Sequence, residues 1–438
     1  MNQWIIFGTI LYLVIILIVS IRNKTKGVRE FGYIGKREYS TFGLASSIAS
    51  SWIGINTILI FGAFLAGFGY WVAIALIIPM IVLALLPYLV SKYFDVFKKH
   101  KFTTITDFVK FRSSKKVALF FSLILIVIHI VGIINGYLAG ATVLNFISGV
   151  PIILGVIFLA LFIMTYLMIG GFKAVIATDK IQYIAMIGIV FIAGIGLFLI
   201  DWSKVAISST LFKEVPTSAI LFFTVYGFLA ILPENAFWQR IFAAKNTTVL
   251  KRGFFWGAIL SIIPILILTL VGVVGITNAV DPALSIVLFF EAHFGGILGV
   301  LSIMFFLAVM MSTMDTIFFS LSTILLNDFI KAKPTVKKER ITFLLLTVAS
   351  VFIAWLSPNI LNNAVIGVGI FMALPIPILY LIVAKKVRKI PLWSSIIFGA
   401  LAIGYCTVTG TVGLIMTPII VGASLLGLIF GFATKLVK

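Results

Sequence analysis

The chain has 438 residues, 62% of them hydrophobic and 11% charged, with a formal net charge of +20. A mean hydropathy of +1.24 lies far outside the range of water-soluble globular chains and excludes an ordinary soluble enzyme or binding domain. A single cysteine, Cys406, and the scattered His100, His129 and His293 exclude a disulfide framework and argue against a metal cluster.

A membrane-spanning helix needs about 20 apolar residues to cross roughly 30 Å of hydrocarbon. By that measure thirteen helices are predicted, at about 3–22, 41–68, 71–92, 116–145, 152–170, 179–200, 217–243, 252–275, 296–327, 341–357, 361–384, 391–409 and 412–434. The first lacks a basic leader and a small-residue cleavage site, and Arg22, Lys24 and Lys26 follow it, so it reads as a retained helix rather than a signal peptide. Between the helices, every Lys and Arg except Lys204 and Lys213 falls in loops on one side. Short basic loops stay cytoplasmic, which sets the N-terminus outside and the C-terminus inside. The charge is therefore a topology signal, and no nucleic-acid partner is needed to explain it. On the other side, the apolar stretch 281–293 is expected as a helix lying along the outer surface.

No linker or polar domain interrupts the helices, so 1–438 reads as a single membrane domain. Setting aside 1–40 (an extra helix and a basic loop) and 391–438 (two C-terminal helices) leaves five helices in 41–200 and five in 217–385. An odd number per half puts the halves in opposite orientations, as in inverted-repeat transporters whose binding site lies at the midplane. The fold class is thus an all-α polytopic membrane protein with a ten-helix core, in the inner (plasma) membrane of the cell.

Polar groups inside the spans carry what chemistry the chain has. The segment 43–56 holds Ser46, Ser47, Ser50 and Ser51 with Gly43 and Gly54. Such a run suits either close helix packing or a broken helix whose freed carbonyls line a cavity. In the ninth span, Ser312, Asp315 and Thr316 stand at i, i+3 and i+4 on one face, beside Thr313. An acid in mid-span is costly unless it meets a cation or a proton, and hard oxygens on one face suit an alkali cation; a neutral Asp315 gluing helices is the blander alternative. Asp179 stands at the entry to the sixth span, where an acid ordinarily serves the helix cap and dipole. Glu234 follows Pro233, which marks either a kink with a water-facing acid or a site. His129 is expected as a packed, hydrogen-bonded residue.

Three motifs in order give these positions a context. Residues 170–182 run Gly170, Gly171, Phe172, Lys173, Ala174, Val175, then Thr178, Asp179 and Gln182; Gln239, Arg240, Ala243 and Lys245 follow the seventh span; Met311, Ser312, Thr313 and Asp315 lead on to Asp328. Over about 33–331 the chain resembles the sodium/solute symporter family, which includes proline, pantothenate, sialic acid and sugar symporters. The resemblance implies two inverted five-helix repeats and alternating access coupled to Na+. It implies a sodium site made of the backbone carbonyls of Leu44 and Ser47 (or their immediate neighbours) and Val309, with the hydroxyls of Ser312 and Thr313. It also implies a second sodium or proton site at Asp179, Ser312, Asp315 and Thr316. Position in the fold suggests solute contacts at Ser50, Ser51, Trp52, Asn56 and Tyr226. Ser51 stands where the family's sugar transporters carry an amide, and Ser46 where its proline symporter carries a carboxylate; both departures point away from those substrates.

The function so implied is sodium-coupled symport of a small neutral or zwitterionic organic solute into the cell, with the solute, Na+ and the lipid bilayer as partners. A proton-coupled symporter of the same fold is the rival, and a channel is more distant. No enzyme is implied, since no nucleophile and base stand together in the sequence. Substrate identity and oligomeric state leave no mark in the chain.

Overall fold

The computed structural model describes residues 3–23, 37, 39–52, 55–205, 207–278, 284–293, 296–330 and 335–434. Among them are ten helices long and apolar enough to cross a membrane, and two shorter apolar ones at Phe7–Arg22 and Thr217–Leu229. In chain order the helices are α1 (Gln3–Arg22), α2 (Thr41–Trp52), α3 (Ile55–Phe68), α4 (Tyr70–Val90), α5 (Phe94–Lys99), α6 (Ile105–Arg112), α7 (Lys115–Ser148), α8 (Ile152–Phe198), α9 (Ile207–Leu211) and α10 (Thr217–Leu229). They continue as α11 (Asn235–Ala243), α12 (Thr247–Asn278), α13 (Ser285–His293), α14 (Gly296–Ile324), α15 (Val336–Leu356), α16 (Ile360–Phe371), α17 (Pro375–Val383), α18 (Lys389–Val408) and α19 (Met416–Ala433). A π-helical turn, Leu325–Ile330, extends α14.

Each predicted segment falls on one of these helices or on a pair of them, and the departures have local causes. Two expected helices, 152–170 and 179–200, run together as α8, whose 47 residues would reach about 70 Å if straight. The run bends instead. A Cβ on Gly170 would lie 2.2 Å from the Ala174 Cβ, where a straight helix keeps such atoms about 5–6 Å apart. Its two apolar stretches, Ile152–Gly170 and Ala177–Phe198, are each one membrane thickness long. The expected helix 217–243 is broken between α10 and α11, where Pro233 cannot donate and Glu234 caps α11 by accepting from the Ala236 N–H at 3.2 Å. The tenth helix starts at Val336 rather than 341, because Thr335 caps it by accepting from Lys338 N–H. The helix expected along the outer surface is packed into the bundle: Ile286, Phe289 and Phe290 of α13 are buried.

The exterior is what a hydrocarbon solvent requires. Ile81, Leu85 and Leu89 of α4 form one exposed stripe at a spacing of four, and Ile184, Ile187, Phe191 and Phe198 another on α8. The interior centres on α14, which packs against α1, α2, α3, α7, α8 and α15. Its Phe306–Ile330 stretch is the most buried of the ten long apolar helices, at 78%. Close approach there depends on α7 glycines: a Cβ on Gly136 or Gly140 would fall 2.1 or 2.0 Å from the sulfur of Met314 or Met310. Any side chain at those glycines therefore has to displace Met314 or Met310 of the helix that carries Ser312 and Asp315.

Candidate cation and solute sites

Four elements meet around one small cavity of about 40 Å³. Tyr39 and Ser47 come from the start and middle of the α2 region, Val175 and Asp179 from α8, Gln239, Arg240 and Ala243 from α11, and Thr316 and Phe319 from α14. That volume is close to the share of one liquid water, about 30 Å³. Into it the fold brings three of the predicted residues, Ser47, Asp179 and Thr316. Ser312 joins them from the side, donating to Asp179 Oδ1 at 3.0 Å. Asp179 lies inside α8 and is buried, so it caps no helix. The cap reading fails because the helix continues through the basic loop expected before it.

Asp315 lies one turn from Ser312 and is fully buried. Its Oδ2 accepts from the Tyr166 hydroxyl at 3.2 Å. Its Oδ1 has no hydrogen-bond partner among the described residues. An orphaned buried carboxylate oxygen is expensive unless a proton or a cation answers it. Beside it, Gln182 donates to the Tyr12 hydroxyl at 3.3 Å, which ties α8 to α1. Thr313 Oγ1 stands 3.2 Å from the Val309 carbonyl, to which it donates. Two oxygens of the expected main sodium site are therefore already side by side on α14, which packs against α2.

On α2 the picture is more crowded. The helix is unbroken from Thr41 to Trp52, and residues 53 and 54 lie outside the described residues. Leu44 is buried against Gly253. The Ser47 carbonyl accepts from Ser51 Oγ at 2.7 Å, from Ser50 Oγ at 3.3 Å and from Arg240 Nη2 at 3.1 Å. Arg240 also donates through Nε to Ser47 Oγ at 3.1 Å, through Nη1 to its own Ala236 carbonyl at 2.9 Å, and to Ser51 Oγ. Among the described residues no carboxylate lies within salt-bridge distance of this buried guanidinium, which is held by hydroxyls and carbonyls instead. The sequence offered Arg240 as part of a motif, but gave no sign of this role, because backbone acceptors carry no side-chain signature.

The predicted solute contacts separate. Ser50 and Ser51 bond within their own helix and, for Ser51, to Arg240. Trp52 packs its ring against Phe237 of α11 at 6.0 Å. The Asn56 side chain lies outside the described residues. Tyr226 alone lines a larger cavity of about 210 Å³, between α3, α4, α10 and α16 in the half of the bundle away from the basic loops.

That basic half is sealed. Arg37 donates to the carbonyls of Phe102 at 2.7 Å and Phe242 at 3.4 Å, and the Tyr39 N–H to Ala243 O at 3.2 Å. Lys98 donates to the Lys245 carbonyl, and Arg112 to those of Leu381, at 3.0 Å, and Ala384. Deeper, Asn235 accepts from Ile105 N–H at 2.9 Å and donates to Ser320 at 2.7 Å, and Ser320 lies 2.8 Å from His129 Nε2. His129 is thus packed and hydrogen-bonded, as expected, with the half-buried Glu234 3.9 Å away. At the π-turn, Asp328 accepts from Ser122 at 2.5 Å and Thr106 at 2.7 Å, locking α14 to α6 and α7.

Comparison with known proteins gives a consistent picture. Residues 32–399 match the sodium:solute symporter family. The chain is 26% identical over 403 residues to a sodium/pantothenate symporter of Haemophilus influenzae, covering 82% of this chain and 81% of that one. It is 25% identical over 250 residues to a sodium/glucose cotransporter of Vibrio parahaemolyticus, covering 50% and 45%. In fold it is similar to a Na+-coupled sialic acid symporter in a substrate-bound outward-open state, with a TM-score of 0.78 at 17% identity over 99% of this chain and 98% of that one. A nucleobase-cation-symport-1 family transporter in a closed conformation follows at 0.64 and 14%, over 94% of each chain.

Proposed function

This chain belongs to the sodium:solute symporter family, and we propose that it carries a small neutral or zwitterionic organic solute into the cell by alternating access. It is a sodium-coupled transporter embedded in a membrane, not an enzyme. The arrangement we propose has thirteen crossings, the N-terminus outside, and the basic end facing the cytoplasm of the inner (plasma) membrane. In it, 41–200 and 217–385 form the two inverted halves, flanked by 1–40 and 391–438.

The observation that carries the site reading is the convergence of Ser47, Asp179, Arg240 and Thr316 on one water-sized cavity, with an unanswered Asp315 oxygen close behind it. Sodium would be held by the carbonyls of Leu44, Ser47 and Val309 and the hydroxyls of Ser312 and Thr313. Asp179, Ser312, Asp315 and Thr316 would take a second sodium or a proton. Because Arg240 already holds the Ser47 carbonyl, a cation reaching that oxygen must share it or displace the guanidinium. Sodium thereby bears on α2 and α11 together, and those are the helices that seal the basic end. A ligand shifts such an equilibrium only by its difference in affinity between the two states. The gradient supplies the work: about 2.3 kcal/mol per Na+ through 100 mV, plus about 1.4 kcal/mol for each tenfold concentration ratio. At one sodium per solute, those two contributions support accumulation of a neutral solute by several hundredfold.

The test is thermal stabilisation of the purified protein in sodium against potassium and choline, for the wild type and for Ser312→Ala with Thr313→Ala. A sodium-specific rise that the double variant loses supports the assignment. An equal rise in both proteins would sink it.

A further inference from the structure

The larger cavity says something about the solute that the ion site does not. We propose that the transported molecule presents an uncharged aromatic or hydrocarbon ring as its larger part, with a single polar group met by Tyr226. The inference rests on the transport reading above for the solute's route, and concerns only what class of solute takes it.

The cavity, about 210 Å³, is enclosed by Phe61 and Phe64 of α3, Phe222, Phe223 and Tyr226 of α10, and by α4 and α16. Among the described residues lining it, the Tyr226 hydroxyl is the one polar side-chain group and none carries a charge. The rings are ordered against each other. Tyr226 stacks on Phe222 with planes 10° apart, while Phe223 meets Phe64 and Phe222 edge-on at 5.9 and 5.2 Å. Edge-on pairs leave ring faces available to a planar guest, and such faces favour offset or edge-on aromatic contact over polar contact. The Tyr226 hydroxyl donates to no described residue, so it is free to bind the guest.

Two competing solute classes fare badly against this wall. A hexose brings several hydroxyls, and each one left without a partner on desolvation is penalised more than a made hydrogen bond gains. A dicarboxylate would lose its hydration without meeting a cationic side chain among the lining residues. A ring removes apolar surface from water and asks for one partner, which the wall has.

The cavity's position also suits loading from the side opposite the basic loops. Its walls include α3 and α10, whereas α2 and α11, nearer the basic loops, are joined through Arg240. Between α3 and α4, Gly69 turns with φ +58°, and a Cβ there would lie 2.3 Å from the Leu211 carbonyl of α9.

The chain's only cysteine, Cys406, is buried, which permits a labelling test. Val365→Cys places a thiol on the cavity wall, and maleimide labelling of the full-length protein is followed in sodium and in potassium. The compounds compared are indole and benzyl alcohol against D-glucose, myo-inositol and L-glutamate. The expected result is labelling slowed about fivefold or more by at least one ring compound and unchanged by the other three. Protection by glucose, inositol or glutamate without protection by a ring compound would overturn the proposal, and so would no protection by any of the five. If ring compounds protect equally in potassium, the solute class stands and the sodium-coupled reading of this site falls. Thermal stabilisation of the wild type by the same five compounds repeats the comparison should the cysteine variant not fold.

Discussion

The two cavities draw on different side chains, one from α2 and α11 among others and the other from α3 and α10. Helices α2 and α11, with α8 and α14, frame a water-sized pocket whose lining includes Ser47, Asp179, Gln239, Thr316 and the buried Arg240 guanidinium. Helices α3 and α10 help frame a pocket five times larger, lined by five aromatic and six aliphatic residues. A small hard cation demands the first kind of wall, because oxygens must replace its hydration. An organic guest with apolar surface is retained by the second, at about 25 cal/mol per Å² removed from water. The division means that ion and solute need not touch to be coupled. Trp52, at the end of α2, packs on Phe237 of α11.

That division can be broken at several points. Arg240→Ala should have the largest effect, because it removes four hydrogen bonds, three of them to α2. Transport is expected to fall about 100-fold or more, equivalent to one or two charge-assisted hydrogen bonds. Arg240→Lys should rescue little, since an ammonium cannot span Ser47 and Ser51 as a planar fork does. Proteoliposome uptake checks both, and near-normal uptake by the alanine variant would end the claim that this residue holds α2 and α11 together. Next, Ser312→Ala with Thr313→Ala should raise the sodium concentration for half-maximal uptake about tenfold or more, with solute affinity at saturating sodium little changed.

Gly136→Ala tests how far α14 acts as a rigid carrier of the ion site. The new methyl must displace Met314, at about 1–3 kcal/mol for overpacking. Both melting temperature and sodium affinity should fall; a fall in stability alone would show that the displacement is absorbed by the flexible thioether. The smallest expected effect is that of Tyr226→Phe. Solute affinity should drop about 2- to 10-fold, the span of one net hydrogen bond, with the sodium response untouched. A change in sodium affinity there would show that the cavities are less separate than their walls suggest.

Much of this was legible beforehand, and what was not has physical causes. Helix positions followed from hydropathy alone, because in hydrocarbon every span must be both long and apolar. Ser312, Asp315 and Thr316 stood out because polar groups are rare and costly in such spans, whereas Asp179, at an expected span entry, was drawn in only by the resemblance; the fold brings the four together. Tyr12 and Tyr166 did not stand out, since a tyrosine in an apolar run looks like filling until its hydroxyl is seen beside Gln182 or Asp315. The aromatic cavity was hidden for a similar reason: with 41 phenylalanines in the chain, nothing local separates those facing lipid from Phe61 or Phe223. Ser50 and Ser51 looked exposed to solute only because helical serines also satisfy themselves on their own carbonyls, as these do.

The seal at the basic end is made largely from arginine and lysine side chains donating to main-chain carbonyls, as Arg37 does to Phe242, Arg112 to Leu381 and Ala384, and Arg240 to Ser47. A carbonyl is supplied by every amino acid. The acceptor positions are therefore free to change identity over evolution without weakening the closure, so no compensating exchange is recorded at the partner site. Pairwise covariation among relatives, which finds contacts through matched substitutions, should leave this gate blank while each cation on its own remains fixed.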